Sequence, residues 1–203
     1  MIGAWEALER LQQGNRRFAS DHEGPGMQTS QHRRSQVATS QEPFAIILGC
    51  SDSRVPAEIV FDQGLGDLFV IRVAGNIVAP SLVGSVEFAA ERFGTRLVVV
   101  LGHSNCGAVL ATIEQLSLST EIRSPNLRSI VDRIRPAVEE LMQPGFNATE
   151  DLLVHHAVRA NIHASANQLR HGSETLEHLI AHEGLVVVGA EYSLETGIVD
   201  FLP

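Results

Sequence analysis

Residues 44–50 read FAIILGC and residues 96–103 read RLVVVLGH. Each is a short apolar run rich in β-branched side chains, without polar alternation, so each fits a strand covered on both faces. Each also delivers a chemically active side chain at its end, Cys50 and His103. A third such run, DLFVIRVAG at 67–75, lies between them, and the stretches PAEIVFDQG (56–64) and PSLVGSVEFAAERFG (80–94) read as helical connections. Buried strands alternating with helices predict a parallel sheet of crossover units.

Working outward, LVVVG at 185–189 predicts one more buried strand, and a turn at Glu195-Thr196-Gly197 leads into an edge strand. The predicted fold class is therefore α/β: a mainly parallel central sheet, about four parallel strands plus an antiparallel edge strand, flanked by helices. After His103 the stretches NCGAVLATIEQL, SPNLRSIVDRIRPAVEELM, EDLLVHHAVRANIHASANQLR and SETLEHLIAHEG read as helices, with Pro136 expected to kink or break the second. Trp5, Leu8, Leu11 and Phe18 recur at helical spacing and predict an N-terminal helix suited to pack on a partner subunit. The polar stretch that follows reads as a loop or short helix. One domain is expected over 1–203, with 1–40 as a helical arm and 41–203 as the α/β core.

Length and charge narrow the function. The 203 residues, 44% of them hydrophobic, suffice for a substantial core, and a formal net charge of −9 argues against a phosphate-binding surface for nucleic acid. The N-terminus carries charges where a signal peptide needs an apolar core, and no apolar run approaches a membrane span. A cytoplasmic protein with a small-molecule partner is expected, and its two cysteines then read as thiols or metal ligands rather than a disulfide. Asn147-Ala148-Thr149 fits the glycosylation pattern, which carries no meaning without secretion.

In an open parallel sheet, ligands gather beyond the carboxyl ends of the strands where strand order reverses. If the strands ending at Cys50 and His103 are neighbours, Cys106, three residues beyond His103, meets them at that edge. Two thiolates and one imidazole suit Zn²⁺, and three protein ligands leave a fourth tetrahedral position open, as in catalytic rather than structural sites. Taken singly, Cys50 reads equally as a buried apolar residue, His103 as a satisfied turn histidine and Cys106 as a helix start. Taken together, the chain's only two cysteines both fall at strand ends.

Asp52 and Arg54, spaced i and i+2, project to one side of an extended chain and can pair through charge-assisted hydrogen bonds. The alternative is an ordinary structural ion pair. Beside a metal, the arginine would hold the carboxylate off the ion and keep it ionised, free to accept a hydrogen bond from zinc-bound water and orient the hydroxide. Elsewhere, GLGDLF (64–69) lacks the third glycine of a dinucleotide loop and reads as a turn, and His155, His156 and His163 read as solvated or packing residues of a helix.

CSDSR (50–54) with HSNCG (103–107) resembles the paired signature of β-class carbonic anhydrases, and VPAEIVFDQGLGDLFVIRVAGN (55–76), GSVEFAAERFGTRLVVVLGH (84–103) and VVVGAEYSLETGIVDF (186–201) extend the likeness over most of the chain. The resemblance implies one Zn²⁺ per chain on Cys50, His103 and Cys106, and Asp52–Arg54 as the catalytic dyad. It implies reversible hydration of CO₂ to bicarbonate by zinc-bound hydroxide, with activity rising toward alkaline pH because two thiolates offset the metal's charge. The resemblance also implies a closed state in which Asp52 is a fourth ligand. Gln41 matches a residue that hydrogen-bonds a substrate oxygen, Phe69 and Phe88 match the lining of the CO₂ pocket, and the Gly107 amide matches a substrate contact. The family also implies a homodimer or tetramer with the site at the subunit interface and Gln41 or Phe69 supplied across it. An inhibitory bicarbonate site known in some members needs a tryptophan where this chain has Ile47, although Arg72 and Tyr192 are present. A hydrolase of carbonyl sulfide or carbon disulfide on the same scaffold is the alternative enzyme, and a zinc or redox module without activity is the alternative class.

Overall fold

A computed structural model describes residues 2–21, 30–118, 124–143 and 149–202. Asn147 and Ala148 of the glycosylation pattern and residues 22–29 of the polar stretch after the first helix lie outside the described residues. The centre is a five-stranded sheet: β1 (Ala45–Gly49), β2 (Leu68–Arg72), β3 (Leu97–His103), β4 (Val186–Tyr192) and β5 (Val199–Leu202), in the order β2-β1-β3-β4-β5. The first four are parallel and β5 is antiparallel to β4, as the sequence predicts. β1 and β3 are fully buried along their length, which is why their sequences lack alternation. They pair directly, and the strand order reverses between them. Their carboxyl ends form the crevice in which such sheets bind ligands.

One face carries Ile46, Leu48, Val98 and Val100. It packs against α4 (Pro80–Arg92), α5 (Gly107–Leu118), α6 (Pro125–Glu139), α7 (Glu150–His171) and α8 (Glu174–His182). α7 lies closest, because Gly102 and Gly189 leave a notch for Ile162. A Cβ built at either glycine would stand 2.5 or 2.7 Å from that side chain. Ile162 thereby fixes how far α7 advances toward the strand ends, and α6 and α5 pack alongside it.

The other face, with Ile47, Val99 and Leu101, is covered by α1 (Ala4–Ala19), and short α3 (Ala57–Val60) joins the same apolar cluster. α1 buries Ala4, Ala7 and Leu11 against its own sheet. Trp5, whose spacing helped predict this helix, is 69% exposed. The small residues Ala4 and Ala7, one position before Trp5 and Leu8, let the helix come close. Asn15, 4% exposed, completes the docking: its Nδ2 donates to the carbonyls of Val60 (3.1 Å) and Gly197 (2.8 Å), and the Val199 amide donates to its Oδ1 (2.8 Å). α2 (Gln31–Val37) is capped by Ser30, whose hydroxyl accepts from the Arg33 amide. α6 runs on past Pro136, so of the kink or break expected there the break does not occur. The ring costs the helix a single i to i−4 bond, and the buried Ile134 and Val138 on either side keep it seated.

Candidate metal centre and its surroundings

β1 hands over to Cys50 and β3 ends in His103, so strand pairing alone sets these two side by side. Cys106 follows at the start of α5, after a tight turn in which Asn105 takes a left-handed backbone (φ 55°). The two Sγ atoms and a His103 ring nitrogen lie within 4.8 Å of one another, and all three residues are buried. A tetrahedral zinc with bonds of about 2.1–2.3 Å has ligand-to-ligand edges of about 3.5–3.8 Å, so the set can close on an ion with small side-chain shifts.

Two observations bear on whether a metal fits. His103, with no exposed surface, has its Nδ1 2.9 Å from the Ser104 carbonyl, which assigns the proton to Nδ1 and leaves a lone pair on Nε2. That Nε2 is buried and has no hydrogen-bond partner. A buried acceptor without a donor costs free energy unless something electropositive arrives. The thiols make the same demand. Their contact lets one ionise below the usual thiol range while the other is pushed well above it, by the neighbouring sulfur and by burial. A divalent cation is what allows both to be thiolates at once.

Around the three side chains the backbone is tied down. Ser104 donates its amide to the Tyr192 carbonyl (2.9 Å), and its hydroxyl accepts from the Leu194 amide (3.0 Å), so the carbonyl that orients His103 is anchored to the end of β4. The Gly75 amide donates to Cys50 Sγ at 3.4 Å. Arg72, at the end of β2, sends Nε to the Cys50 carbonyl (3.0 Å) and Nη2 to the Asp52 carbonyl (2.6 Å). Neither Ser104 nor this use of Arg72 is marked in the sequence, because both act on main-chain atoms.

Asp52 and Arg54 pair as expected but by a different route. The chain turns here instead of extending: the Val55 amide donates to the Asp52 carbonyl (3.0 Å), and the Arg54 amide donates to Asp52 Oδ1 (2.9 Å). The turn swings the guanidinium back so that Nε donates to Oδ1 (2.9 Å) and Nη2 to Oδ2 (2.7 Å). Both carboxylate oxygens are thus occupied by arginine, with Oδ2 still 3.9 Å from His103 Nε2. Arg54's hydrogen bonds hold the Asp52 carboxyl well below the ordinary carboxylate range, against a smaller opposing effect of burial.

The remaining candidates divide. Gly107 is the first residue of α5 and stays with the cluster. Gln41 precedes β1, Phe69 pairs in register with Ile46 near the start of that strand, and Phe88 packs on Phe69 with ring centroids 6.2 Å apart. These three gather at the amino end of β1, with the five-residue strand, roughly 16 Å at 3.3 Å per residue, between Gln41 and Cys50. The single chain does not bring them to the cluster. Phe88 is 53% exposed and, with Phe69 and Phe93, forms an open aromatic patch; Gln41 lines an adjacent surface groove. Ile47 is fully buried on the α1 face, and Tyr192 packs against Phe18.

Comparison with known proteins agrees with this architecture. The family model described as carbonic anhydrase matches residues 45–199. The chain is 36% identical to the protein named Carbonic anhydrase 2 of Mycobacterium tuberculosis, over 97% of this chain and 90% of that one. It is also 36% identical to a carbonic anhydrase of Mycolicibacterium smegmatis, over 98% and 92%. Among solved structures, the β-carbonic anhydrase CcaA superposes with a TM-score of 0.75 at 26% identity, covering 97% of this chain and 95% of that one. Likeness that runs through nearly the whole chain, far beyond the two short motifs, makes this protein a member of the carbonic anhydrase family, of the β class.

Proposed function

We propose that the protein catalyses the reversible hydration of CO₂ to bicarbonate and a proton, with Cys50, His103 and Cys106 holding one zinc ion per chain. The observation that carries this reading is the orphaned lone pair of His103 Nε2, buried beside two thiols and within reach of a carboxylate that arginine holds in place. Zinc in such an open site acidifies a water and makes it a nucleophile near neutral pH, chemistry for which carbonic anhydrases with three histidine ligands are the general example.

The chain's own residues do the rest. Asp52, kept ionised by Arg54, accepts a hydrogen bond from the attacking water and orients it. Because both its oxygens are engaged by Arg54, Asp52 stays off the metal position, the arrangement of an open site. The Asp52 side chain is 19% exposed, so the proton released from the water has a path to solvent beside it. The Gly107 amide, at a helix start, suits a developing oxyanion. Gln41, Phe69 and Phe88 sit too far along the sheet to act within their own chain, and an exposed aromatic patch beside them fits contact with a second copy. Self-association in which one chain's aromatic end covers another's metal end would complete the site; the 25% identical Sordaria macrospora enzymes are described as tetrameric. Two free thiols, and no helix long and apolar enough to cross a membrane among the described residues, agree with a place in the cytoplasm.

The test is stopped-flow CO₂ hydration with metal analysis on the same sample, alongside turnover of carbonyl sulfide and carbon disulfide. About one zinc per chain with fast CO₂ hydration is expected. Metal-loaded protein that hydrolyses the sulfur compounds but ignores CO₂, or metal-free protein with an oxidised cysteine pair, overturns the assignment.

A further inference from the structure

Asn161 lies on α7, 2% exposed, far in sequence from every residue of the metal cluster. Its Nδ2 donates to the Gly75 carbonyl at 2.8 Å, and the Gly75 amide in turn donates to Cys50 Sγ. Between these two bonds the backbone is unusual. Gly75 has φ 73° and Asn76 has φ 43°, two consecutive left-handed residues, the second without glycine's freedom. A Cβ added at Gly75 would stand 2.8 Å from Ile134 Cδ1 and 3.0 Å from the Ala108 Cβ, so only glycine fits beneath α5 and α6. A conformation this sparsely populated persists only when its surroundings over-determine it. Asn161 supplies the side-chain hydrogen bond to the Gly75 carbonyl that holds it, and the notch at Gly102 and Gly189 that seats Ile162 sets Asn161's height above the turn.

We propose that Asn161 is a positioning residue for the Cys50 thiolate: by gripping the Gly75 carbonyl it aims the Gly75 N–H at the sulfur, and so sets how strongly that sulfur donates to a bound metal. This rests on the reading of Cys50 as a metal ligand. An amide hydrogen bonded to a thiolate draws electron density from it, and partners of this kind alter metal affinity as well as ligand orientation. The effect bears on the chemistry proposed above, because two thiolates offset most of a divalent ion's charge. The hydrogen bond returns some of it. Asn161 touches neither substrate nor metal and acts only through Gly75.

The full-length apoprotein titrated with Co²⁺ tests this without reference to activity. The readouts are the energy of the sulfur-to-cobalt charge-transfer band and the Co²⁺ dissociation constant measured against a competing chelator. Asn161→Asp keeps the side chain's size but replaces the donor with a carboxylate that repels the Gly75 carbonyl. It is expected to weaken Co²⁺ binding about 10- to 100-fold and to move the band to lower energy, as the sulfur becomes more electron-rich. Leu169→Val, which loosens the same helix two turns beyond Asn161 without touching the hydrogen-bonded path, is expected to change the melting temperature but neither readout. An Asn161→Asp protein that folds and shows wild-type band and affinity overturns the proposal; if it does not fold, Asn161→Ala takes its place with the same two outcomes. Wild-type protein with no sulfur-to-cobalt band overturns the metal reading as well, whereas a normal wild-type band with unresponsive variants overturns only the role of Asn161.

Discussion

The two ends of β1 differ in kind. At the carboxyl end the chain itself ties down the groups around the cluster and leaves His103 Nε2 open for a metal: Arg54 fills both oxygens of Asp52, Arg72 takes the carbonyls of Cys50 and Asp52, and Ser104 fixes the His103 ring. At the amino end Phe69, Phe88 and Phe93 face each other in a patch that solvent reaches, with Gln41 exposed beside it. In the proposed function one end is finished within the fold and the other by contact: binding a metal is then the work of one chain, and a dry pocket for a small apolar substrate the work of two.

This contrast can be broken most sharply at the metal end. Cys50→Ser is expected to lose both bound zinc and CO₂ hydration, down to the uncatalysed background, with metal content and stopped-flow rates measured on one sample; retained activity without zinc would end the reading. Asp52→Asn separates holding from catalysis. Zinc stays, because the three ligands are untouched, while the hydration rate falls about 10²- to 10⁴-fold, the usual worth of a positioned proton acceptor. A fully active Asp52→Asn protein removes the dyad from the mechanism.

Arg72→Met leaves two carbonyls beside the ligands without their donors. About a 10- to 100-fold loss in zinc affinity is expected, read by chelator competition, with little change in self-association. At the other end the expectation inverts. Phe88→Asp should leave zinc content unchanged but weaken self-association by about 2 kcal/mol, roughly 30-fold in dissociation constant, and activity should fall in parallel on dilution. If sedimentation shows Phe88→Asp assembling as tightly as wild type, the aromatic patch is not the contact. The smallest effect is expected from Gln41→Ala: one hydrogen bond to substrate, about a 3- to 10-fold loss in kcat/KM, and no change in zinc or assembly. Loss of metal in that variant would mean that the two ends are not separate after all.

Much of the first end is legible in the residues themselves, whereas Gln41, Phe69 and Phe88 at the second enter only through the family resemblance. Three apolar runs ending in Cys50, near Asn76 and in His103 indicate parallel strands, and parallel strands bring their ends together. What the runs do not state is their order, and the convergence of Cys50 with Cys106 depended on β1 and β3 being neighbours. Residues that act through the main chain leave no pattern: Arg72 reads as one more charge after a strand, Ser104 as a turn residue, Asn161 as a polar position within an amphipathic helix. Trp5 shares its spacing with Leu8 and Leu11 yet stays on the surface, because α1 approaches the sheet through alanines and a large ring cannot occupy so narrow a gap. Pro136 does not end α6, because a proline within a helix costs a bond locally, while the buried neighbours at 134 and 138 decide whether the helix continues.

Asn15 links parts of the chain made at very different times. Its partner Val199 lies 184 residues further on, and Leu194, whose amide holds Ser104, lies 90 residues beyond it. A polypeptide emerging from its amino end therefore makes α1 and the whole metal-binding segment long before either can be locked. Residues 192–199 then close both sides of the sheet within one short span of synthesis, so any chain that stops before them can contain every ligand and still lack a finished site.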